Sequence, residues 1–371
     1  MSQLKVFVLP GDGIGPEVTE AAVEVLRVIS NSTDLSFSME YGLFGGAAID
    51  DCGKPLSAAT LEMAMSADAV LLGAVGGPRW DALPAPKRPE KGLLGLRSAL
   101  SVYANLRPIR SFAALVHASP LKSPSAFPID LVIVRELLGD VYFGEPRGVY
   151  GEIGKRRGIN TMSYTEQEIR RIAERAFSLA RSRKGKLLSV DKANVLEVMG
   201  LWRAIVEEVH GSYPEVELSH MYVDNCAMQL ILDPRRFDVL VTGNLFGDIL
   251  SDEAAALTGS IGLMPSASLG EQHALYEPVH GSAPDIAGKG IANPLAAILS
   301  VALLLRHTAT RPDLADLVER AVERALDLGL RTPDLLADSG LCALTTVSTR
   351  QMTQGVVREL LRLLDEEDQS T

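Results

Sequence analysis

Two aspartates four residues apart, Asp248 and Asp252, are the residues whose spacing most directly indicates chemistry in this sequence. A helix turns once per ~3.6 residues, so positions i and i+4 project from one face. Two such carboxylates repel each other mildly unless a cation lies between them. Mg²⁺ or Mn²⁺, which prefer oxygen ligands, would suit the pair. The spacing leaves a second interpretation open, in which the aspartates form a solvated acidic helix face.

The elements that must position these aspartates can be predicted from the pattern around them. An apolar run at residues 239–242 is typical of a buried strand, and a turn at Gly243 and Asn244 follows it. The aspartates therefore lie at the start of a helix at the carboxyl end of a strand, where open α/β sheets bind ligands. Further strands are predicted at residues 6–9, 69–72 and 131–134, and helices at 166–180 and 192–209. This alternation predicts an α/β protein with a largely parallel sheet.

Composition and charge limit the classes of function. A length of 371 residues allows two domains or one large one, and 47% hydrophobic residues are sufficient for a sizeable core. The net charge of −11 argues against nucleic acid as the main partner but not against a small anionic substrate.

The cysteines and the apolar stretches indicate a cytoplasmic protein. Cys52, Cys226 and Cys342 are far apart, which argues against a disulfide framework or a zinc knuckle and fits a reducing compartment. The first residues show no signal-peptide pattern. The apolar stretch at residues 295–305 is about half a membrane span and predicts a buried helix, so no membrane partner is expected.

Three arginines, Arg97, Arg107 and Arg135, lie beside apolar runs at the predicted boundaries of elements. A single arginine in such a position is usually a structural ion-pair partner. Three of them can also clamp the carboxylates of a substrate.

Three other residues are candidates for proton transfer or metal binding. Lys192 lies between a strand and a helix and is a candidate general base if cationic neighbours lower its pKa. Tyr142 is a candidate proton donor. Asp224 ends a short apolar run, where it either caps a helix or completes a three-carboxylate metal site.

Two glycine-rich segments bear on cofactor binding. The turn at residues 11–15 places its glycines at 11, 13 and 15, which does not match the G-x-G-x-x-G fingerprint, so a Rossmann site is not expected there. A tight turn near a phosphate or ribose remains open. In the loop at residues 280–285, Asp285 can accept hydrogen bonds from ribose hydroxyls and would repel a 2′-phosphate, which favours NAD over NADP. An ordinary turn is the alternative.

A Gly-, Arg- and Lys-rich region at residues 144–164 predicts an extended arm or hairpin, with a surface loop as the alternative.

Taken together, these segments resemble the isocitrate/isopropylmalate dehydrogenase family of β-decarboxylating dehydrogenases. The matching segments run in family order and are LPGDGIGPE (9–17), GLLGLR (92–97), YANLRP (103–108), VREL (134–137), VDKANVL (190–196), NLFGDILSDE (244–253) and HGSAPD (280–285).

The resemblance implies a two-domain, non-Rossmann α/β fold. One domain would comprise residues 1–102 plus 259–371 and hold both termini and the NAD site. The central domain, residues 103–258, would form a homodimer through an arm at about 144–164. The active sites would lie in the interdomain clefts and be shared between subunits.

The resemblance also implies a reaction. It is NAD-dependent oxidative decarboxylation of a 2-hydroxy dicarboxylate, (2R,3S)-3-isopropylmalate, to 4-methyl-2-oxopentanoate and CO₂ in leucine biosynthesis. Mg²⁺ or Mn²⁺ would be held by Asp248, Asp252 and Asp224 of the partner subunit, and Asp224 would also contact the substrate. Lys192 would remove the C2 hydroxyl proton and Tyr142 would protonate C3. The substrate carboxylates would be held by Arg97, Arg107 and Arg135.

Substrate choice would depend on the segment before Arg97. An isocitrate enzyme would have a serine near position 91 and an asparagine near 93, whereas this chain has Lys91 and Leu93. Leu93 and Leu94 would form an apolar wall for the isopropyl group, with Glu90 nearby. The residues that would bind NAD are Gly76, Gly77, His280, Gly281, Ser282, Ala283, Pro284, Asp285, Ile286 and Asn293.

Other functions stay open at this point. Within the family, tartrate or homoisocitrate dehydrogenase is the alternative. A metal-dependent hydrolase or phosphotransferase would use similar charges but needs no nicotinamide loop. A non-catalytic binding protein would have no need for Lys192, Tyr142 and the aspartates, all of which are present.

Overall fold

The chain folds into two compact units. The computed structural model describes residues 2–121, 127–336 and 344–368, so Cys342 lies outside the described residues. Unit 1 comprises Met1–Val102, Phe112–Pro120 and Thr258–Thr371, and unit 2 comprises Tyr103–Ser111 and Leu121–Leu257. The short segment Phe112–Pro120 belongs to unit 1, where the Arg331 guanidinium donates a hydrogen bond to the carbonyl oxygen of Ala114 over 2.7 Å.

Unit 1 is built on strands that are hydrogen-bonded in the order β2-β1-β3-β12-β11. Neighbours are parallel except for β11 and β12, which are antiparallel. These strands are β1 (Ser2–Gly11), β2 (Leu35–Tyr41), β3 (Ala69–Ala74), β11 (Pro265–Leu269) and β12 (Ala274–Pro278), and the short β13 (Leu330–Arg331) and β14 (Thr345–Thr346) pair separately. The helices are α1 (Gly15–Ser32), α2 (Gly45–Cys52), α3 (Ala58–Ser66), α4 (Pro89–Ala99), α9 (Leu295–His307), α10 (Pro312–Asp327) and α11 (Thr349–Asp368).

Helix α9 forms the centre of unit 1. Every residue from Leu295 to Leu305 is buried, because α1, α10, β11 and β12 all pack against it. The prediction of a buried helix here is confirmed. In the part of the chain that the structure describes, no helix is both long and apolar enough to cross a membrane.

Unit 2 has its own strands in the order β4-β5-β10-β8-β9, parallel except for the antiparallel pair β4 and β5. They are β4 (Ala104–Arg110), β5 (Asp130–Glu136), β8 (Lys186–Asp191), β9 (Glu217–Tyr222) and β10 (Val239–Thr242). The helices are α5 (Glu166–Arg181), α6 (Glu197–His210), α7 (Val223–Leu232) and α8 (Asn244–Leu257). The α/β class and the largely parallel pairing are therefore confirmed.

Two local expectations can be compared with the structure. The arm region contains an antiparallel hairpin of β6 (Gly148–Tyr150) and β7 (Arg157–Ile159), which confirms the predicted hairpin. The side chains of Val149 and Ile153 are largely exposed there. The helix expected from residue 192 begins instead at Glu197, because the carbonyl of Lys192 accepts hydrogen bonds from Val195 and Leu196 in a turn.

Candidate active site

Helix α8 carries Asp248 and Asp252 on one face, as the spacing predicts. The helix begins at Asn244, directly after the fully buried strand β10. The Asp248 side chain is 34% exposed and that of Asp252 is 57% exposed. Both carboxylates therefore retain access to solvent, while Thr242, Gly243 and Asn244 at the strand–helix junction are buried.

Arg135, on β5, lies along this helix and contacts Asp248. Its Nη1 donates to Asp248 Oδ1, and its Nε and Nη2 donate to Asn244 Oδ1 over 3.0 and 2.7 Å. Gly247 leaves the room for this arrangement, since a Cβ at that position would lie 2.7 Å from Arg135 Cγ. The absence of a side chain at Gly247 thus allows the guanidinium to reach the first carboxylate.

Arg107, on β4, contacts the second carboxylate. Its Nη1 donates to Ser251 Oγ over 2.6 Å and to Asp252 Oδ1 over 3.1 Å, and its Nη2 lies 3.5 Å from Asp248 Oδ1. Its Nε donates to Asn105 Oδ1 over 2.8 Å. In the structure two guanidinium groups therefore lie beside the paired carboxylates, where the sequence alone had indicated a divalent cation.

The pKa of Asp252 is raised although Arg107 lies beside its carboxylate. Burial raises the pKa of Asp252, the Arg107 guanidinium lowers it, and the neighbouring Asp248 raises it again, with a net increase. A further cation at this helix face would lower that pKa by favouring the ionised form.

Tyr142 lies in a 3₁₀ turn and faces the same carboxylate as Arg135. Its hydroxyl donates to Asp248 Oδ2 over 2.7 Å, and the Arg135 guanidinium carbon lies 5.6 Å from its ring centroid. Burial, together with this hydrogen bond, raises the pKa of Tyr142 to about 12. The phenol is therefore protonated at neutral pH and can act as a proton donor.

Lys192 and Asp224 form a second group in unit 2. Lys192 Nζ donates to Asp224 Oδ1 over 2.7 Å, and this bond lowers the pKa of Asp224. The helix-capping interpretation of Asp224 is wrong, because Tyr222 occupies the N-cap position of α7 and Asp224 lies within the helix. Within the described ranges, no three His, Cys, Asp or Glu side chains are grouped so that they could hold a metal ion. Asp224 thus does not join Asp248 and Asp252 in one chain.

The third arginine, Arg97, lies in unit 1 near the end of α4. Its Nη2 donates to Glu277 Oε1 over 2.6 Å, and both side chains are nearly buried. On the same helix Leu93 packs against the hydrophobic cluster that includes Phe7 and Phe44, whereas Leu94 is half-buried. The structure shows all three arginines in ion pairs, as one of the two interpretations predicts, and the clamp on substrate carboxylates stays a prediction.

The loop after β12 contains most of the predicted cofactor-binding residues. His280 is 9% exposed, its Nδ1 lies 2.9 Å from the carbonyl oxygen of Gly281, and burial lowers its pKa. Its Nε2 is buried and has no hydrogen-bond partner among the described residues. Ala283 has a φ of +38°, and Asp285 is exposed. The loop therefore offers an unused buried nitrogen and an accessible carboxylate.

The remaining predicted cofactor residues lie on neighbouring segments of unit 1. Gly76 and Gly77 follow β3 with φ of +98° and +155°. A Cβ on Gly76 would lie 2.5 Å from Glu90 Oε1, so the predicted cofactor segment and the predicted specificity helix approach each other here. Asn293 has a structural role: its Oδ1 accepts from the Leu295 backbone at the start of α9, and its Nδ2 donates to Asp334 over 2.9 Å.

A family model described as isocitrate/isopropylmalate dehydrogenase matches residues 5–356. The chain belongs to this family. It is 54% identical to the 3-isopropylmalate dehydrogenase of Aquifex aeolicus, across 98% of this chain and 99% of that protein. It is 58% identical to the 3-isopropylmalate dehydrogenase of Gloeobacter violaceus, across 90% and 92%. The crystal structure of isocitrate dehydrogenase from Methylococcus capsulatus matches with a TM-score of 0.84 at 36% identity, across 96% of this chain and 99% of that one.

The residues present fit the cofactors of such a dehydrogenase. Asp248 and Asp252 supply hard oxygen donors on one face of α8, and both carboxylates are partly exposed to solvent. The buried, unpaired Nε2 of His280 and the exposed Asp285 fit a polar ligand such as a dinucleotide at the loop.

Sequence reasoning missed the residues that orient the arginines. They are the acceptors Asn105, Asn244, Ser251 and Glu277. A buried guanidinium requires acceptors for its donors, so the polar residues Asn105, Asn244 and Ser251 inside the matched segments were available indications. Glu277 could not be found in this way, because it lies far from Arg97 in sequence and outside those segments.

Proposed function

We propose that this protein catalyses the NAD-dependent oxidative decarboxylation of (2R,3S)-3-isopropylmalate to 4-methyl-2-oxopentanoate and CO₂, in leucine biosynthesis. The observation that carries the proposal is the contact between Asp248, Arg135 and the protonated Tyr142. This contact brings together a carboxylate that can bind a metal ion, a guanidinium group that can bind a substrate carboxylate, and a phenol that can donate a proton. The 54% and 58% identities to enzymes named 3-isopropylmalate dehydrogenase, against 36% to an isocitrate dehydrogenase, favour this substrate.

The metal and the nicotinamide would supply the chemistry that side chains lack. Asp248, Asp252 and the partner subunit's Asp224 would hold Mg²⁺ or Mn²⁺, whose positive charge would make the substrate hydroxyl more acidic. The loop after β12 would hold NAD, which would supply the hydride acceptor.

The side chains of unit 2 would handle protons. Lys192, in its neutral amine form, would accept the proton of the C2 hydroxyl, and the resulting ammonium would release it to solvent. Tyr142 would donate a proton to C3 after CO₂ leaves. Its pKa of about 12 keeps the phenol protonated until that step. Arg135, whose charge lowers the pKa of Tyr142, stabilises the phenolate left by that transfer.

The arginines would exchange partners when substrate binds. In the structure Arg107 forms an ion pair with Asp252, and Arg135 forms one with Asp248. With a divalent cation held by those aspartates, Arg107 and Arg135 would turn their guanidinium donors to the substrate carboxylates, which Arg97 would also bind. Metal and substrate should therefore each strengthen the binding of the other.

Specificity would be set in unit 1. For the substrate, Leu93 and Leu94, with Glu90, would line the isopropyl group. For the cofactor, Asp285 would accept hydrogen bonds from the ribose hydroxyls of NAD and would repel the 2′-phosphate of NADP. The other predicted NAD contacts are those of the loop after β12 and of Gly76, Gly77 and Asn293.

A homodimer with shared active sites would complete the metal site. Lys192 and Asp224 are hydrogen-bonded to each other, so they would enter a partner's site together. The exposed hairpin of β6 and β7, with Val149 and Ile153, would contact the second subunit. Unit 2, which contains this hairpin, is therefore proposed as the dimerisation domain.

The decisive experiment is NAD reduction by the purified protein with Mg²⁺, offered 3-isopropylmalate, isocitrate, homoisocitrate, malate and tartrate separately and repeated with NADP. Turnover mainly of 3-isopropylmalate with NAD is expected. Turnover of homoisocitrate or tartrate instead would keep the family mechanism and reject the role of Leu93 and Leu94. No turnover with any acid would reject the catalytic assignment.

A further inference from the structure

The turn at residues 11–15 contains a buried carboxylate that the proposed chemistry does not use. Asp12 is 4% exposed. Its Oδ2 accepts hydrogen bonds from the backbone N–H of Gly46 over 2.8 Å and of Gly76 over 2.7 Å. Its Oδ1 accepts from the N–H of Ala47 over 2.8 Å. One carboxylate thus joins the start of α2 to the segment after β3.

The same turn is fixed to both segments predicted to bind the cofactor. The Asp12 N–H donates to the carbonyl of Ala74 and the Ile14 N–H donates to that of Ser282, each over 2.8 Å. Gly13 has a φ of +58°, and a Cβ there would lie 2.0 Å from the Ser282 carbonyl oxygen. The turn is therefore in direct backbone contact with the loop at 280–285.

Gly76, whose N–H donates to Asp12, has a backbone conformation that favours glycine. A φ of +98° is strained for residues with side chains but accessible to glycine, and glycine also has the largest entropy to lose when it is fixed there. A hydrogen bond to an ionised acceptor is about twice as strong as one between neutral groups. We therefore expect the hydrogen bond to Asp12 to stabilise one backbone conformation of Gly76, a residue that could otherwise adopt several.

We propose that Asp12 is a positioning residue for NAD, holding Gly76 and the start of α2 in register with the 280–285 loop so that the dinucleotide meets a preformed surface. This rests on the proposed function, because it takes these segments as the NAD site. In this proposal the glycine-rich turn does not bind the phosphates of the dinucleotide itself. It acts through Asp12, which positions the segments that would bind NAD.

The test compares Asp12→Asn with a matched control, Asp238→Asn. An asparagine has one carboxamide oxygen, so at least one of the three N–H donors loses its acceptor. Asp238 in unit 2 is also buried and also accepts backbone N–H donors, from Lys184 over 2.9 Å and Lys186 over 3.3 Å, as well as a bond from Arg183. It contacts no predicted cofactor residue in these bonds and controls for a general loss of stability.

Binding of NAD is measured by calorimetry on the full-length protein, and KM for NAD and for 3-isopropylmalate are measured in parallel. Asp12→Asn should weaken NAD binding on the order of tenfold or more, with KM for 3-isopropylmalate unchanged within about twofold. Asp238→Asn should leave both unchanged. Hydrogen exchange at the amides of Gly46, Ala47 and Gly76 should accelerate in Asp12→Asn alone.

The outcomes separate this inference from the proposed function. Unchanged NAD binding in a folded Asp12→Asn protein would overturn the role of Asp12, and so would equal weakening in both variants. Wild-type protein that binds NAD but does not oxidise 3-isopropylmalate would reject the proposed substrate and leave the Asp12 comparison decisive for the inference. Wild-type protein that does not bind NAD would overturn both.

Discussion

The hydroxyl of Tyr142 donates a 2.7 Å hydrogen bond to Asp248, the same carboxylate that Arg135 contacts. A proton donor and a proposed metal ligand are thereby in direct contact. Because burial and the carboxylate raise the pKa of Tyr142 to about 12, the proton stays on the phenol until a stronger base is formed next to it. In the proposed reaction that base is C3 of the substrate after decarboxylation.

Replacing Tyr142 with phenylalanine should lower kcat by about 10²–10⁴-fold, the usual range for loss of a general acid. Hydride transfer precedes the step that needs this proton. Rapid mixing should therefore still show a burst of NADH in the first turnover. Tyr213→Phe, which changes a ring stacked on Phe177 in the same unit, is the control and should leave kcat unaltered. A Tyr142→Phe enzyme with normal kcat would remove the tyrosine from the mechanism.

The sharing of active sites between subunits can be tested by complementation. Lys192→Met and Asp248→Asn should each inactivate a homodimer. A hybrid dimer has one site in which Asp248 and Lys192 of the partner subunit are both intact. Hybrids purified through two different tags should recover about half of the wild-type kcat per dimer. If hybrids stay inactive while each variant is folded and dimeric, the two groups do not meet across subunits.

Gly247 and Gly200 should respond in opposite ways to alanine. Alanine normally stabilises a helix interior by about 0.5–1 kcal/mol relative to glycine. Gly200→Ala should show this gain, since among the described residues no atom outside the adjacent helix backbone lies within 4 Å of its added Cβ. Gly247→Ala would place its Cβ 2.7 Å from the Arg135 side chain. It should displace the guanidinium and lower kcat/KM by roughly 10²-fold.

Thermal unfolding and steady-state kinetics of both glycine variants provide the measurement. Equal stabilisation of the two with full activity would show that Arg135 does not need the space at Gly247.

The apolar wall can be tested at Leu94, which is half-buried. Leu94→Ala should lower kcat/KM for 3-isopropylmalate by about 10–200-fold, because contact with the isopropyl group is lost. The loss should be smaller for 3-methylmalate. Leu328→Ala, an exposed leucine elsewhere in unit 1, should change neither value. An equal loss with the two substrates would mean that Leu94 does not contact the alkyl group.

Stability should fall with rising pH through the titration of Glu136. This side chain is fully buried, and burial raises its pKa from 4.5 to about 7 although Arg171 and the N–H groups of Leu138 and Gly139 favour the charged form. The folded state therefore binds the proton more tightly than the unfolded state. The resulting stabilisation is complete below pH 4.5 and is lost as pH rises through about 7.

Glu136→Gln removes that titration and provides the comparison. Between pH 4.5 and 7 the free energy of unfolding of the wild type should fall relative to Glu136→Gln by up to ~1.4 kcal/mol per pH unit. Urea denaturation at intervals from pH 4.5 to 8 gives the difference. A constant difference across that range, or one that moves in the opposite direction, would contradict the raised pKa.

Sequence alone was sufficient for features that depend on local periodicity. The i, i+4 spacing of Asp248 and Asp252 predicts their shared face because helix geometry is fixed, whatever packs around it. The buried helix α9 and the strands β5 and β10 were also predictable, because a continuous apolar run indicates a segment buried on all sides. Local periodicity failed at Lys192, where a hydrogen-bonded turn delays the helix to Glu197.

Only the tertiary structure decided which charges meet. Arg107 and Asp252 are 145 residues apart, Arg97 and Glu277 are 180 apart, and Asp12 reaches Gly76 across 64 residues. No local pattern encodes such pairs, because they form when strands from separate parts of the chain become neighbours in a sheet. The sequence by itself determined the types of residue and their faces, whereas the fold determined that two arginines lie beside the paired carboxylates.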